Sequence, residues 1–502
     1  FATLHAQSVE NGPSGQTPAS ADDASKPATP GEIVVTATKR NVRLSDVPAA
    51  VSVVTDEVLK SKSADSFVQY ARSVPGLSFT DIGAGRQRLS IRGIDSKVGS
   101  QVVGYYIGET PIPGSRGTIP QTVADPRLYD IARIEVLRGP QGTLYGSGPM
   151  GGTVKIVPKR PNLHEFGAEL DVTGSFTPSN GANPGFGANV MANVPIVDGS
   201  VAVRMVGWVR SEDGFITREV NGVPVKHGVP HENTYGVRGT LDAKLDDRWT
   251  VSLSAFYQRQ SFNGFQDITT GAANPNDALV QNFRSDTPER NSNTFQLYNF
   301  LIEGDLDFAK LVSSTSYYYG NMQAKEETSE TLFYSFGIDG AGAINEASIN
   351  KDFSEELRLT SSRPLAGFDY IIGLYFNRNR GQRNNDYTIP GFSEEFFPVL
   401  GDNLYASRMR YTTHQTAVFG EISREIVPGL KLTGGLRWFN ARNTSSEPQN
   451  GLFAGAESAT PPTAADAPVL VGESKGLIYK FNASYKASDQ FLLSGTASEG
   501  SR

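Results

Sequence analysis

The sequence contains no cysteine, which excludes disulfide bonds and thiol chemistry but does not fix the cellular compartment. It has no run of about 18 apolar residues, so no helix is expected to span a membrane. A β-barrel remains allowed, because strands that cross a bilayer need only alternate in polarity. The formal charge of −7 over 502 residues argues against nucleic acid or an anionic membrane surface as the main partner.

Motifs for catalysis are also missing. There is no nucleophile elbow, H-E-x-x-H motif, Walker loop or catalytic carboxylate pair, so we expect neither an enzyme nor a cofactor. Gly146–Gly151 has the G-x-G-x-x-G spacing of a dinucleotide loop, but the alternating residues Gly152–Val157 predict a strand where that loop needs a helix. These glycines are therefore expected to serve tight turns and close backbone packing. His227 and His231 lie in a predicted solvated turn, and we expect no metal site there.

The N-terminal residues 1–31 are rich in serine, proline, alanine and glycine, with few large apolar side chains. This composition predicts a flexible segment. Phe1–Gln7 is consistent with the remnant of a signal peptide cleaved near Ala6. A fragment that starts at an arbitrary point is the alternative interpretation.

Residues 38–161 are predicted to form a small α+β domain. Strands are expected at Ala50–Val54, Leu77–Thr80, Leu89–Arg92, Gln101–Ile107, Ile131–Leu137 and Thr153–Val157. Ser63 is expected to cap a helix that carries Ala64, Phe67, Ala71 and Val74 on one face. The helix should end at Pro75-Gly76.

From residue 162 to residue 502, apolar and polar residues alternate with a period of two. In residues 235–245, for example, the odd positions are mostly apolar and the even positions mostly polar. We identify about thirteen such strands, most of them near the ten residues that cross a bilayer when tilted. Trp208, Trp249 and Trp438 are typical of an interfacial girdle, and packing in the core is the alternative for each.

The connections between these strands alternate between short and long. Short turns are expected at 246–247, 308–310, 363–367, 427–429 and 487–489, and long segments at 212–232, 261–293, 321–351, 381–412 and 441–473. A soluble sandwich or propeller has no reason to place every long loop at one end, whereas outer-membrane barrels do so. The pattern therefore predicts a membrane all-β barrel, that is, a transmembrane antiparallel β-barrel.

Several motifs resemble those of the TonB-dependent receptors of the Gram-negative outer membrane. Residues 32–37 (EIVVTA) resemble the TonB box, residues 89–93 (LSIRG) a plug motif, and residues 131–146 with Gly151-Gly152 the plug signature. A looser match covers residues 103–112, where Gly108-Glu109 stands in place of the family's Asp-Gly. The resemblance implies that an N-terminal α+β plug lies inside the lumen of a barrel of about 22 strands. The final residues resemble a mid-barrel stretch, so we expect a C-terminally truncated chain.

The TonB box is expected to comprise Glu32, Ile33, Val34, Val35, Thr36 and Ala37. It has the composition of an extended strand without a partner, suited to pairing with a sheet edge of another protein. By the resemblance, that protein is TonB with its inner-membrane energising complex. A short edge strand of the plug itself is the alternative.

The resemblance also implies contacts between plug arginines and carboxylates on the barrel wall. Arg92 and Arg138 each precede a glycine in the plug, and they are the expected cations. Glu356 and Glu421 are the expected carboxylates, because strand alternation turns both away from the apolar face. Ordinary charges that face the lumen are the alternative.

The expected function is active import of a scarce ligand through the bacterial outer membrane. A ferric siderophore or similar metal chelate is the first hypothesis, and cobalamin, an oligosaccharide or an aromatic compound remain open. Ligand contacts are expected in the plug loops 81–88, 95–101 and 113–121, with Arg86, Arg88, Arg116 and Gln121 as candidates. The other expected partners are TonB and outer-membrane lipid, but not nucleic acid. A secreted β-rich adhesin or glycan-binding protein is the hypothesis from another class.

Overall fold

The computed structural model describes residues 3–5, 33–36, 38–64, 66–81, 87–95, 101–114, 123–146, 148–177, 183–268, 279–392, 402–454, 467–488 and 491–500. Within these ranges, none of the helices combines the length and the apolar character that crossing a membrane requires. The described chain forms an α+β unit whose last strand ends at Pro158, and a long antiparallel sheet built mainly from residues after Gly167.

Short strands and helices build the α+β unit, which we call the plug. The strands before residue 160 are β1 (Thr3–His5), β2 (Val34–Val35), β3 (Val42–Arg43), β4 (Ala50–Thr55), β5 (Leu77–Asp81), β6 (Gln87–Ile91), β7 (Val103–Ile107), β8 (Thr110–Pro111), β9 (Ile131–Arg138) and β10 (Gly152–Pro158). The helices are α1 (Asp56–Ser61), α2 (Phe67–Ala71) and α3 (Gly142–Tyr145), with a 3-10 turn at Leu44–Asp46. The main sheet has the order β4-β9-β10-β7-β8, in which β10 runs parallel to β7.

The six predicted plug strands all form, with ends that differ by one or two residues. The predicted helix is wrong in its start, because α2 begins only at Phe67; α1, which was not predicted, ends before Ser63. Ser63 has a left-handed φ of 49°, a conformation that ends a helical turn, and Ser66 instead caps α2 through a capping box with Gln69. The predicted apolar face is nevertheless buried, and Phe67 packs edge to face on Tyr70 with ring centroids 4.9 Å apart.

Thirteen of the described strands follow one another as antiparallel neighbours and form the sheet that we call the wall. They are β11 (Gly167–Ser175), β12 (Gly185–Val197), β13 (Val201–Glu212), β16 (Glu232–Lys244), β17 (Trp249–Phe262), β19 (Arg290–Asp305), β20 (Ala309–Glu327), β21 (Ala343–Ser361), β22 (Asp369–Thr388), β23 (Asn403–Val427), β24 (Leu430–Ser446), β26 (Leu470–Ser488) and β27 (Phe491–Ser498). β1 pairs with β11 at one edge. The number agrees with the sequence prediction.

Strand alternation gives the wall one apolar surface and one polar surface, as the sequence predicts. The exposed outward residues include Leu253, Phe300, Leu357, Leu374, Val418, Leu436, Trp438 and Leu477. Residues of opposite parity, such as Gln258, Asn350 and Arg437, are buried on the inner side. Trp208 also lies on the inner side and packs on Phe256, so the girdle interpretation is wrong for this residue. The girdle position fits Trp438.

The wall wraps around the plug, which contacts it along the whole series of strands. On β13, Arg204 donates two hydrogen bonds of 2.8 and 2.6 Å to Asp130 of the plug. At the far edge, Asn482 of β26 donates to the carbonyl of Pro48 at 3.3 Å. The plug therefore lies in the lumen of the barrel wall, which confirms the predicted fold class.

The long loops all lie at one end of the wall, and three of them join into one unit, the cap. The cap contains β14 (Ile216–Val220), β15 (Val223–Val229), β18 (Val280–Phe283) and α4 (Ser329–Phe336); a further pair, β25 (Gln449–Asn450) with a 3-10 turn at Leu452–Ala454, lies near β23. β14 pairs antiparallel with β15 and parallel with β18, and thereby links two separate loops. Arg284, which follows β18, stacks on Phe333 of α4 at 3.7 Å and pairs with Asp339 at 3.0 Å.

We predict that the cap loses stability as the pH rises through neutrality. Burial raises the pKa of Glu289 from its ordinary 4.5 to about 7, against the opposing charge of Arg218. The pKa of Glu289 is higher in the folded cap than in the unfolded chain. Protonation of Glu289 therefore stabilises the cap fully below pH 4.5, and this stabilisation is lost as the pH rises through about 7. Hydrogen exchange of the β14 and β18 amides, corrected for the intrinsic pH dependence, should be faster at pH 8 than at pH 5.

Glu289→Gln should remove this pH dependence of amide exchange. Glu219→Gln, a matched change on β14 of the cap, should keep it. The prediction is wrong if the parent protein has equal amide protection at both pH values.

Candidate functional site

The segment Ile33–Thr36, predicted as part of the TonB box, is docked on the plug. Val34 and Val35 pair antiparallel with Val42 and Arg43, and Leu44 donates to the carbonyl of Ile33 at 2.9 Å. Val35 is fully buried. The description of the box as a strand without a partner is therefore wrong for this state of the molecule, because β3 satisfies its backbone. Glu32 and Ala37 lie outside the described residues.

A buried carboxylate of the plug core holds the end of this segment. The backbone N–H of Thr36 donates to both oxygens of Glu135 at 3.0 Å, and the Thr36 hydroxyl donates to Oε1 at 3.2 Å. Arg133 donates to the same carboxylate at 2.7 Å. The Glu135 side chain is 0% exposed, so these partners are what compensate its burial.

Lys39 connects the same segment to the barrel wall. Its ammonium pairs with the carboxylate of Glu356 on β21 and lies 5.0 Å from the ring centre of Tyr145 and 5.3 Å from that of Phe419. Burial lowers the pKa of Lys39 to about 8, and the negative charge of Glu356 opposes this fall. A residue three positions beyond Thr36 thus reaches across the plug surface to the wall.

The contact of Lys39 is the end of a chain of five charged groups, the charge chain. Glu356 also accepts from Arg358 at 3.0 Å, Arg358 donates to Glu109 at 2.6 Å, and Lys155 pairs with Glu109 at 2.7 Å. Lys39, Glu109 and Lys155 belong to the plug, while Glu356 and Arg358 belong to β21. Gly108-Glu109, which differs from the family's Asp-Gly, still forms a turn, with φ 58° at Gly108. The carboxylate of Glu109 binds Arg358 of the wall.

Glu421 makes a second contact between wall and plug. It accepts from the hydroxyl of Thr143 in α3 at 2.9 Å and pairs with Lys480 of β26 at 2.8 Å. Both expected wall carboxylates, Glu356 and Glu421, therefore lie on the inner side and touch the plug. Their plug partners are a lysine and a threonine.

The predicted pairing of Arg92 and Arg138 with these carboxylates does not occur among the described residues. Arg138 donates to the carbonyl of Pro75 at 3.2 Å, and Arg92 is exposed at a turn, with a left-handed φ of 54°. Both arginines lie beside the turn at Gly76, where a Cβ would contact their side chains. The wall carboxylates are already neutralised by other cations, so nothing draws the arginines there.

The glycines of the plug signature allow close approach to the wall. A Cβ on Gly146 would lie 2.8 Å from Nη2 of Arg437, and one on Gly142 would lie 2.9 Å from the carbonyl oxygen of Glu499. Arg437 is 1% exposed and lies between the rings of Tyr375 and Phe419. The G-x-G-x-x-G spacing is thus used for packing, in agreement with the interpretation from the sequence.

The ligand-contact candidates can be placed only in part. Arg86, Arg116 and Gln121 lie outside the described residues, as do most of loops 81–88, 95–101 and 113–121. Arg88 is described, and it pairs with Asp95 at 3.1 Å within the plug. A small, half-open cavity of about 30 Å³ lies between the plug and the wall towards the long-loop end. Its described lining is uncharged: Pro113, Val123, Ala124, Asn293, Tyr318, Gly320, Asn321, Met322, Ser348 and Asn350.

The two histidines of the loop between β13 and β16, His227 and His231, have side-chain partners. His231 is 2.5 Å from Asp213, and His227 is 3.2 Å from the hydroxyl of Thr217. In the described ranges, no group of three or more histidine, cysteine, aspartate or glutamate residues has the geometry of a metal site.

Comparison with known proteins shows which proteins this architecture is similar to. Residues 43–153 match the family described as TonB-dependent Receptor Plug Domain. The chain has the plug domain and the fold of the TonB-dependent receptors. It superimposes on the ferric yersiniabactin uptake receptor of Yersinia pestis with a TM-score of 0.72 and 17% identity, covering 90% of this chain and 64% of that one.

Curated relatives are similar over parts of their length. A ferric enterobactin receptor of Pseudomonas aeruginosa is 23% identical over 448 residues, which are 81% of this chain and 56% of that protein. An iron-regulated outer membrane virulence protein of Vibrio cholerae is 28% identical over 237 residues, which are 47% of this chain and 34% of that protein. The chain thus spans between a third and somewhat more than half of these two relatives.

Sequence reasoning missed Lys39, Glu135, Thr143 and Arg358, and it noted Glu109 only as a departure from a motif. Two of them carried a usable signal. Arg358 stands two positions from Glu356 and so faces the same side of the strand, and Glu135 is a charge inside the apolar run 134–137. Lys39 and Thr143 carry none, because their roles depend on how the plug is seated against the wall.

We predict that Glu356→Gln loosens the docked segment. The substitution keeps the shape of the side chain but leaves the Lys39 ammonium buried without its counter-charge. Lys39 can lose its proton and so avoid part of the cost of an unpaired buried charge. The docked segment is therefore destabilised by only about 1.5 kcal/mol. Hydrogen exchange at Val34 and Val35 should then be about tenfold faster.

Glu303→Gln is the matched control, since Glu303 also joins the wall to the plug, through Arg160 at 2.6 Å, but away from this segment. Equal protection of Val34 and Val35 in the parent and in Glu356→Gln would contradict the role given to the charge chain.

Proposed function

We propose that this chain serves TonB-dependent import of a scarce ligand, a ferric siderophore, across the outer membrane of a Gram-negative bacterium. We assign residues 32–37 to the TonB box, 38–161 to the plug and 162–502 to the transmembrane wall. The long-loop end faces the outside and the short-turn end the periplasm. No catalytic step is part of this proposal.

The single observation that carries the proposal is the attachment of Thr36 to the plug core and of Lys39 to the wall. Thr36 is bound by Glu135, and Lys39 by Glu356, within a few residues of chain. A pull on the preceding residues would therefore act first on these two contacts. The box is available to a partner only after it leaves β3, so docking and partner binding exclude one another.

The magnitudes favour release of the segment before the plug core opens. The hydrogen bonds of Thr36 to a charged acceptor contribute about 2 kcal/mol, and breaking the buried ion pair of Lys39 costs about 3 kcal/mol. The plug core buries more than ten large apolar side chains, each of which contributes about 2 kcal/mol. Force applied at the N-terminus therefore detaches the segment and leaves the plug folded.

The class of ligand is supported by the relatives rather than by the cavity. A ferric enterobactin receptor is similar over 81% of this chain, and an iron-regulated outer membrane virulence protein is similar over 47% of it. The uncharged cavity lining supplies hydrogen-bond groups and aromatic surface without selecting a charge. Iron chelates therefore rank before cobalamin, oligosaccharides and aromatic compounds.

We predict that Val34→Pro abolishes uptake but preserves binding at the cell surface. Proline removes a backbone donor from the strand that would pair with TonB, at a side chain that is partly exposed rather than in the core. Uptake of radiolabelled ferric enterobactin should fall about tenfold or more, as expected for the loss of at least one strand hydrogen bond. Val34→Ala is the matched control and should transport normally.

A panel of ferric siderophores, cyanocobalamin and maltodextrins separates the ligand classes in the same cells. The proposal would be overturned if Val34→Pro took up normally every ligand that the parent transports. It would also be overturned if the protein mediated adhesion that this substitution did not change.

A further inference from the structure

A serine, a histidine and an aspartate lie in contact at the base of the cap. The hydroxyl of Ser211 is 3.4 Å from Nε2 of His231, and Nδ1 of the same ring is 2.5 Å from Oδ1 of Asp213. Ser211 belongs to β13, Asp213 directly follows that strand, and His231 directly precedes β16. Because β13 and β16 are antiparallel neighbours, their register brings the three side chains together at this end of the wall.

The direction of these hydrogen bonds follows from the charge of Asp213. Burial raises the pKa of Asp213, but hydrogen bonds from Asn183 and His231 outweigh this effect and hold the pKa below its ordinary 3.8. An ionised carboxylate only accepts hydrogen bonds, so Nδ1 of His231 carries the proton and donates to Asp213. Nε2 is then the acceptor for the hydroxyl of Ser211. In this arrangement a serine can pass its proton to a histidine.

The carboxylate that orients the histidine is itself fixed. Its side chain is 7% exposed, and Oδ2 accepts from the backbone N–H of Asn183 at 2.7 Å and from the Asn183 side chain at 2.9 Å. Gly228 packs so closely on Asp213 that a Cβ there would lie 2.8 Å from Oδ2. The backbone N–H of His231 donates to Asn263 at 2.7 Å. Several elements therefore hold the histidine and its carboxylate in place.

His227 in the same loop differs from His231 in its partners. Its Nδ1 is 3.2 Å from the hydroxyl of Thr217, and no carboxylate of the described ranges lies within ion-pair distance of its ring. His231 instead joins a hydroxyl to a buried carboxylate, while 31% of its side chain stays exposed. Only His231 therefore has the partners of a general base together with access from outside.

The serine lies next to the apolar outer surface of the wall. Ser211 is partly exposed, and it has the same parity on β13 as the exposed residues Met205 and Val209. Phe186 lies directly opposite Ser211 on β12 and is also exposed. An acyl chain placed on this surface would have its carbonyl group near the hydroxyl of Ser211.

We propose that Ser211, His231 and Asp213 form a hydrolytic site for acyl esters at the outer rim of the wall. Oγ of Ser211 attacks the ester carbonyl carbon while Nε2 of His231 takes the hydroxyl proton. The ester C–O bond then breaks, the alcohol leaves with the proton from His231, and an acyl-serine remains. Water attacks the acyl-serine, giving a proton to His231, and the carboxylic acid and the free serine are released. The inference goes beyond import and depends neither on TonB nor on an imported ligand.

The test is covalent labelling of the purified chain in neutral detergent micelles with an alkyl fluorophosphonate, which an activated serine attacks with loss of fluoride. Peptide mass spectrometry should find the label on Ser211. A general base contributes about 10²-fold to 10⁴-fold, and the 3.4 Å contact favours the lower value, so labelling should be about 100-fold slower in His231→Gln. His227→Gln is the matched control and should be labelled as fast as the parent.

Hydrolysis of 4-nitrophenyl hexanoate is the second measurement. The parent should release 4-nitrophenol, and Ser211→Ala or prior labelling should abolish this release. Amide protection of β14 in His231→Gln should equal that of the parent, so that slower labelling reports lost proton transfer rather than an unfolded loop.

Three outcomes would overturn the proposal. The first is an unlabelled Ser211 in the parent after prolonged exposure to the fluorophosphonate, a result that requires no variant to fold. The second is equally fast labelling of the parent and His231→Gln, which would show that the histidine does not activate the serine. The third is unchanged ester hydrolysis by Ser211→Ala. Because the assays contain no TonB and no siderophore, failure of the transport proposal leaves each of these outcomes readable.

Discussion

The structure depends on one constraint, that charged groups removed from water must find opposite charges. The plug and the wall are separate bodies in sequence, and each buries charges that the other neutralises. Asp130 of the plug is matched by Arg204 and Arg238 of the wall, and Glu356 of the wall by Lys39 of the plug. Apolar contacts are not directional, whereas each of these pairs requires its two partners to lie side by side. The ion pairs therefore favour the seating of the plug that the structure shows.

The architecture could be predicted from the sequence because its signals are local. Period-two alternation and the regular exchange of short turns and long loops each arise within one strand or one connection, and they led to thirteen strands and to a polar lumen. The contacts of the candidate site could not be predicted in the same way. The faces of Glu356 and Glu421 followed from alternation, but the choice of Lys39 and Thr143 over Arg92 and Arg138 depends on how two folded bodies are placed against each other. No local pattern encodes that placement.

The segment that resembles the TonB box illustrates a second limit. Its β-branched composition correctly indicated an extended strand, yet composition does not say whether such a strand has a partner. A two-residue pairing with β3 is enough to dock it, because Thr36 and Lys39 add charged contacts beside the pairing. Weak pairing and strong flanking contacts together hold the strand, and under the proposed function they would let it leave as a unit.

The balance of the charge chain explains why release need not disturb the rest of the plug. With Lys39 in place, the chain has three cations and two carboxylates, so it carries one positive charge in excess. Departure of Lys39 leaves Arg358 and Lys155 against Glu109 and Glu356, which is an even balance. Burial lowers the pKa of Lys39, and the neighbouring positive charge of Arg358 lowers it further. Under the proposed function, the wall and the plug would remain paired through Arg358, Glu356 and Glu109 after the segment has left.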